Sequence, residues 1–91
     1  MKTLRFSSQF KKDAKRFRNQ PIKMAKVLEI LQMLRDDIPI PKQFKPHLLT
    51  GEYKGCMECH IENDFLLIWI DELQNQIGVL RLGSHSELFK K

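Results

Sequence analysis

Apolar residues recur with a helical period over the first third of the chain and as alternating or continuous runs over the last third, with a proline-rich stretch between them. Residues 2–6 (KTLRF) alternate loosely and predict a short strand. Ser7 and Ser8 are then placed to cap a helix whose apolar stripe is Phe10, Ala14 and Phe17, at i, i+4 and i+7. Asn19, Gln20 and Pro21 end that helix, and Pro21 suits the first turn of a second one, with the stripe Met24, Val27, Leu28, Leu31 and Leu34. Two helices joined by so short a turn fold back on each other, and both stripes need a sheet to cover. Pro39, Pro41 and Pro46 with Gly51 and Gly55 predict a long ordered loop. Three strands are expected after it, at about 53–62, 65–71 and 76–82, with turns at END and ELQNQ. FLLIWI is apolar on both faces, as a central strand covered from both sides would be. SHSELFKK has room for one helical turn. The order is β, α, α, β, β, β, an α+β class without internal repeat or low-complexity segment.

The 91 residues, 42% apolar and 30% charged, predict one domain over 1–91 with a thin core, since a chain of this length buries only about 60–65% of its unfolded surface. No segment approaches the ~18 uninterrupted apolar residues of a membrane span. The start, MKTLRFSSQFKKDAKRF, has no apolar region before a cleavage site. The cytoplasm is therefore the expected compartment, with no membrane partner. The net charge of +5 is unevenly placed. Residues 1–45 hold twelve Lys/Arg against four Asp/Glu, and residues 46–91 four against seven. The first half thus offers a face to a polyanion or an acidic protein, and charge alone does not choose between RNA, DNA and protein.

Three histidines, His47, His60 and His85, are the first candidates for chemistry. A single histidine is more often structural than catalytic, but these fall at element ends from which they could meet. In CMECHIE, alternation puts Met57, Cys59 and Ile61 toward the core, and Cys56, Glu58, His60 and Glu62 outward. Cys56, Cys59 and His60 spell the C-x-x-C-H of haem attachment, but cysteines three apart on a strand point to opposite faces. The same geometry disfavours a zinc thiolate site, so Cys59 is expected in the core and Cys56 as a reduced surface thiol. Asp64, in the END turn, is the residue type such a turn favours for its own hydrogen bonds. Arg81, at the end of the last strand, either covers an edge or points at an anion, and Gly83 and His85 follow it closely. No Gly-rich phosphate loop, Ser-His-Asp order or paired metal carboxylates stand out.

KPHLLTGEYKG (45–55), ECHIENDFLLIW (58–69) and RLGSHSELF (81–89) resemble the three signature blocks of YafQ-type toxins, a histidine-bearing subgroup of the RelE superfamily. The resemblance runs over essentially the whole chain, the main departure being Cys56 and Cys59 around the second block. It implies a RelE-like, microbial-ribonuclease type of fold, with two N-terminal helices packed on a small, mainly antiparallel twisted sheet. It also implies a toxin of a type II toxin–antitoxin system that cleaves mRNA on the ribosome without metal or cofactor. Carried over, the family pattern puts His47, His60, Asp64 and His85 in the active site, with Arg81, Phe89 and Glu58 as substrate contacts. RNA brings its own 2′-OH nucleophile, so the reaction needs a base, an acid for the 5′-oxygen and a cation for the phosphorane. His85 is expected as the acid, His47 or His60 as the base, Asp64 as orienter and hydrogen-bond partner, Arg81 as the clamp and Phe89 as a stacking platform. Lys11, Lys12, Lys15, Arg16 and Arg18 are expected to meet ribosomal RNA or a cognate acidic antitoxin. Two other readings remain at this point: a basic domain that binds nucleic acid or protein without cutting, and haem or zinc binding at the cysteines.

Overall fold

Alternation in the last third of the chain produces three strands: β3 (Met57–Glu62), β4 (Phe65–Glu72) and β5 (Gln76–Gly83). The computed structural model describes residues 1–89, so the last two positions of SHSELFKK lie outside the described residues. Consecutive strands pair antiparallel through the turns at 63–64 and 73–75. The N-terminal strand β1 (Thr3–Phe6) lies parallel to β5 on its other side, and a two-residue strand β2 (His47–Leu48) closes the opposite edge. The sheet order is β1-β5-β4-β3-β2, so the architecture is α+β with a five-stranded mixed sheet. No helix among the described residues is long and apolar enough to cross a membrane.

Between β1 and β2 come α1 (Ser8–Lys15) and α2 (Pro21–Arg35). Ser7 caps α1, its Oγ accepting the Phe10 N–H at 2.9 Å, and Pro21 opens α2 where no intrahelical N–H is required. Both helices lay their apolar stripes on one face of the sheet. Phe10, Phe17, Val27, Ile30, Leu31 and Leu34 meet Phe65, Leu67 and Trp69 of β4 and Ile77, Val79 and Leu82 of β5. Each of these side chains contributes about 1.5–3 kcal/mol by leaving water. The stripe of α2 differs from the expectation at one place: Leu28 is exposed and Ile30 is in the core. The positions i, i+3, i+4 and i+7 counted from Val27 are Ile30, Leu31 and Leu34, and Leu28 lies about 100° farther around the cylinder.

The second face of the sheet is covered too, as FLLIWI predicts. Leu66 and Ile68 pack there with Cys56 and Leu88, beneath Leu49, Tyr53, Ile70, Leu80 and Phe89. The cover is the segment 49–53 and the last helix, α3 (His85–Leu88). It corrects two expectations. Cys56 is buried rather than a surface thiol, and Glu58, expected outward, is only 3% exposed, because the outward face of β3 meets protein instead of water. β3 also starts at Met57 rather than near 53, since Gly51 (φ 72°) and Gly55 (φ 89°) turn the chain away from extended geometry just before it. The two cysteines do face opposite sides of the sheet, one in each apolar cluster, which removes the haem and thiolate-zinc readings. Burial and the adjacent Glu58 charge push the Cys59 thiol up to about 12.

Candidate active site

Every polar candidate of the last half lies on the second face, brought there by strand pairing. Glu58 of β3 is opposite Ile68, and His60 opposite Leu66, both on the second face of β4. β2 exists because His47 pairs with Glu58 across the ladder, which sets that imidazole over the same patch. A two-residue pairing inside a proline-rich loop has no period to read, and so it was not expected from the sequence. His85 arrives from the other side as the first residue of α3. Ser84 caps that helix, its Oγ accepting the Glu87 N–H while Glu87 Oε1 accepts the Ser84 N–H at 2.8 Å. The S-x-x-E spacing is a capping box legible in the sequence.

The three imidazoles form an arc. Ring centroids are 5.8 Å apart for His47 and His60 and 5.6 Å for His60 and His85, the latter pair edge-on. Phe89 continues the arc at 6.2 Å from His85 and meets Tyr53 in a T-shaped contact at 5.5 Å. Asp64 fixes one end. Its Oδ1 accepts the His85 backbone N–H at 2.9 Å and lies 2.8 Å from His85 Nδ1. These contacts, the backbone one first, hold the Asp64 carboxyl below its usual range, so it is ionised and orients the ring with Nδ1 as the protonated nitrogen. His85 Nε2 is thereby left to act. At the other end His47 Nδ1 donates to the Lys45 carbonyl at 2.7 Å, while Lys45 itself sits in the left-handed region with φ 51°. His47 Nε2 then faces Glu58 Oε1 at 3.1 Å, and His60 Nε2 approaches the same oxygen at 3.5 Å. Glu58 thus sits behind the two imidazoles rather than on the open surface. A cleft of about 300 Å³ lined by Gln43, Phe44, Lys45, His60 and Ile61–Asn63 adjoins the arc.

Arg81 has found its anion within the protein. Strict alternation after Ile77 and Val79 would turn it into the core, but β5 carries a bulge at Leu80, so that Ile68 pairs with Arg81 and Trp69 with Val79. The bulge returns Leu82 to the core and sends Arg81 to the other side, where Asp13 takes it at 2.8 Å through Nε and 3.3 Å through Nη2. Asp13 of α1 is fully buried, and it was missed because one acidic residue in a basic helix gives no sign of burial. It also accepts from Leu82 N–H (3.0 Å) and Gln9 (3.3 Å) and pairs with Arg16 (3.2 Å), taking up the β5 edge where β1 has ended. Burial raises its carboxyl, and the Arg81, Leu82 and Gln9 hydrogen bonds outweigh that and leave it below the usual range. Arg81 Nη1 goes on to the Tyr53 hydroxyl at 3.3 Å, which donates to the Leu88 carbonyl at 3.3 Å. Arg16 Nε reaches Glu87 at 3.3 Å, so two polar chains tie α1 to the helix that bears His85. Lys11, Lys12, Lys15 and Arg18 are exposed as expected, whereas Arg16 is occupied by these two carboxylates.

Comparison with known proteins gives a consistent result. Residues 2–90 match the family described as bacterial toxin of type II toxin–antitoxin system, YafQ. The mRNA interferase toxin YafQ of Escherichia coli K12 is 32% identical over 89 residues, covering 94% of this chain and 94% of that protein. Among solved structures, a copper-bound mutant toxin from Helicobacter pylori is similar at TM-score 0.88 and 35% identity, over 98% of this chain and 100% of that one. The YafQ chain of the E. coli DinJ–YafQ complex is similar at TM-score 0.84 and 29% identity, over 98% of this chain and 99% of that one.

Proposed function

This chain belongs to the YafQ family of toxins of type II toxin–antitoxin systems, and from that premise we propose that residues 1–91 form one toxin domain acting in the cytoplasm as a ribosome-dependent endoribonuclease on mRNA, without metal. The E. coli relatives are named mRNA interferases. The observation that carries the reading is the arc itself: three imidazoles from three separate segments stand with neighbouring ring centroids 5.8 and 5.6 Å apart, one held by an exposed carboxylate and two backed by a buried one. A structural role would not require three solvent-reaching imidazoles at a single place.

Acid and base must reach two oxygens of one phosphorus, so they must be neighbouring rings. His85 neighbours His60, and that makes His60 the base for the 2′-OH and His85 the acid for the departing 5′-oxygen. Glu58 stabilises the imidazolium formed on His60, and His47, anchored on Lys45, adds a further cation or donor over the same patch. Arg81, its charge already paired with Asp13, acts through Nη1 by holding the Tyr53 hydroxyl, and Phe89 stacks on an unstacked base. The products expected are a 2′,3′-cyclic phosphate or 3′-phosphate and a 5′-OH, with cleavage surviving any chelation that leaves the ribosome intact. A 3′-OH terminus, found by ligation-based end mapping, would overturn this mechanism.

An acidic antitoxin is the expected partner, in keeping with the DinJ–YafQ toxin–antitoxin complex of the E. coli relative. Lys11 of α1 borders an apolar groove formed by Phe6, Phe10, Ala14, Met24, Val27, Leu28 and Leu31, suited to an amphipathic segment. The exposed lysines of α1 are proposed to dock on ribosomal RNA when the antitoxin is gone. Changing Lys11, Lys12 and Lys15 to Gln should weaken ribosome co-sedimentation and flatten its salt dependence by roughly 0.7–0.9 in log–log slope per lost phosphate contact. The fold should be little affected, because exposed charges contribute about 0–1 kcal/mol each. An unchanged slope would leave the lysines to the antitoxin alone.

A further inference from the structure

The acid and base roles proposed above give the RNA strand a direction across the arc. The 2′-OH that His60 deprotonates belongs to the nucleotide 5′ of the scissile phosphate, and the oxygen that His85 protonates belongs to the nucleotide 3′ of it. Phe89 lies 6.2 Å from His85 and so serves the 3′ nucleotide. A place for the 5′ nucleotide is needed beside His60, and the cleft of about 300 Å³ there is lined by neither His85 nor Phe89. Its volume lies at the lower end of small-molecule sites, roughly 300–1,000 Å³, and gives room for one base.

The walls of the cleft are built from two segments that the fold holds still. One is the turn Lys42–Phe44 with Lys45, where the Phe44 N–H donates to the Pro41 carbonyl at 3.0 Å and the Lys45 N–H to the Lys42 carbonyl at 2.9 Å. Phe44 is half-buried, packed against the core, so its ring is fixed at the rim. The other wall is the end of β3 with Asn63, whose neighbour Asp64 holds His85. β2 pairs with β3 only at Met57 and Glu58, so strand pairing does not fill this edge. Gln43 and Asn63 are exposed and bring two carboxamides to the cleft, each with donors and an acceptor. Glu62 is met by Lys26 at 2.9 Å and Lys23 at 4.0 Å, so its charge is balanced before an RNA anion arrives. An aromatic ring with hydrogen-bonding groups around it is the combination by which unstacked RNA bases are read.

We propose that this cleft takes the base of the nucleotide immediately 5′ of the cut, stacked on Phe44 and read by the carboxamides of Gln43 and Asn63, and that it sets the base preference at that position. The assignment of the 5′ side rests on the proposed roles of His60 and His85. Gln43 and Asn63 act on which message is cut, and the imidazoles on how it is cut.

Isotope-labelled full-length protein is titrated with the four nucleoside 3′-monophosphates, and the carboxamide and imidazole ¹H–¹⁵N signals are followed. The phosphate of each probe stands for the scissile one, and its base for that of the 5′ nucleotide. The Gln43 and Asn63 carboxamides are expected to shift together with His60, most tightly for one preferred base, whereas inorganic phosphate should move the imidazoles alone. Gln43→Ala and Asn63→Ala, at exposed positions that leave the core intact, should each weaken 3′-nucleotide binding about 2–10-fold, the worth of one hydrogen bond, and leave phosphate binding unchanged. Four equal affinities, or carboxamides that respond to no 3′-nucleotide, overturn the subsite. When the variants are induced in a bacterium, mapped cleavage ends should show a relaxed base preference 5′ of the cut and the original one 3′ of it. A preference unaltered on the 5′ side overturns the reading role. An original chain that cuts no message would count against the endoribonuclease instead, and the nucleotide titration would still decide whether the cleft binds a base.

Discussion

Replacing His85 by alanine is expected to lower cleavage of a translated message by about 10²–10⁴-fold, the usual worth of a positioned proton donor, and to relieve growth arrest when the toxin is induced alone. The loss should fall on turnover rather than on folding. The His85 side chain is 52% exposed and begins a short helix, where alanine is an excellent helix former. Asp64 keeps the backbone N–H of position 85 as a partner, and being 63% exposed it is not left as an uncompensated buried charge. Ribosome binding by His85→Ala should match that of the original chain. A folded His85→Ala protein that still arrests growth would remove the acid from the mechanism and favour the reading in which the domain binds without cutting.

Asp13→Ala is expected to have the largest effect on stability of any single change, a loss of about 3–5 kcal/mol measured by urea unfolding. It leaves Arg81, whose side chain is 20% exposed, without its bidentate partner, and the Leu82 N–H without its acceptor. The pH dependence has a definite sign. The folded carboxyl lies below its ordinary value of 3.8, so the network's contribution is fully present above that value and is lost as pH falls through the lower folded one. The gap in stability between the original chain and Asp13→Asn should therefore be constant near neutrality and narrow only below about pH 4. A double change of Asp13 and Arg81 to leucine and methionine should recover much of the loss, since a buried pair is costly chiefly when half of it is removed. A single Asp13→Ala protein as stable as the original would mean that water replaces the carboxylate freely.

Local pattern was enough for the elements that obey one period. Ser7, Pro21 and the apolar stripes located α1 and α2, and the two-sided FLLIWI announced a sheet covered on both faces. That same clue was not carried one strand over, where Cys56 and Glu58 were assigned to solvent on the assumption that β3 had a wet side. The bulge at Leu80 explains why Arg81 could not be placed from alternation. Asp13 was invisible because its burial depends on where β1 stops and leaves unpaired part of β5, a strand sixty residues and more away in sequence. For the site, the sequence supplied the three histidines and Asp64 as candidates, and the resemblance of the three blocks supplied their grouping. Their convergence needed the β2–β3 pairing and the packing of α3, neither of which leaves a periodic trace. Tyr53 and the Lys45 carbonyl, which hold the two ends of the arc, stand in the first of those blocks without any feature that marks them.

The position of β5 between β1 and β4 has a consequence for how the toxin comes into being. Ser7 and Leu80, joined by a hydrogen bond, are 73 positions apart, and a sheet closed by so distant a pairing forms late and slowly. While the chain is being synthesised, β1 and β4 each wait with an open edge, Asp13 has no Arg81, and His60 has no His85 beside it. On the mechanism proposed above, the nascent chain would not cleave message until residues past 83 have cleared the exit tunnel. The unpaired edges and the apolar groove of α1 and α2 are exposed during that delay, which gives an antitoxin made alongside it the first opportunity to bind.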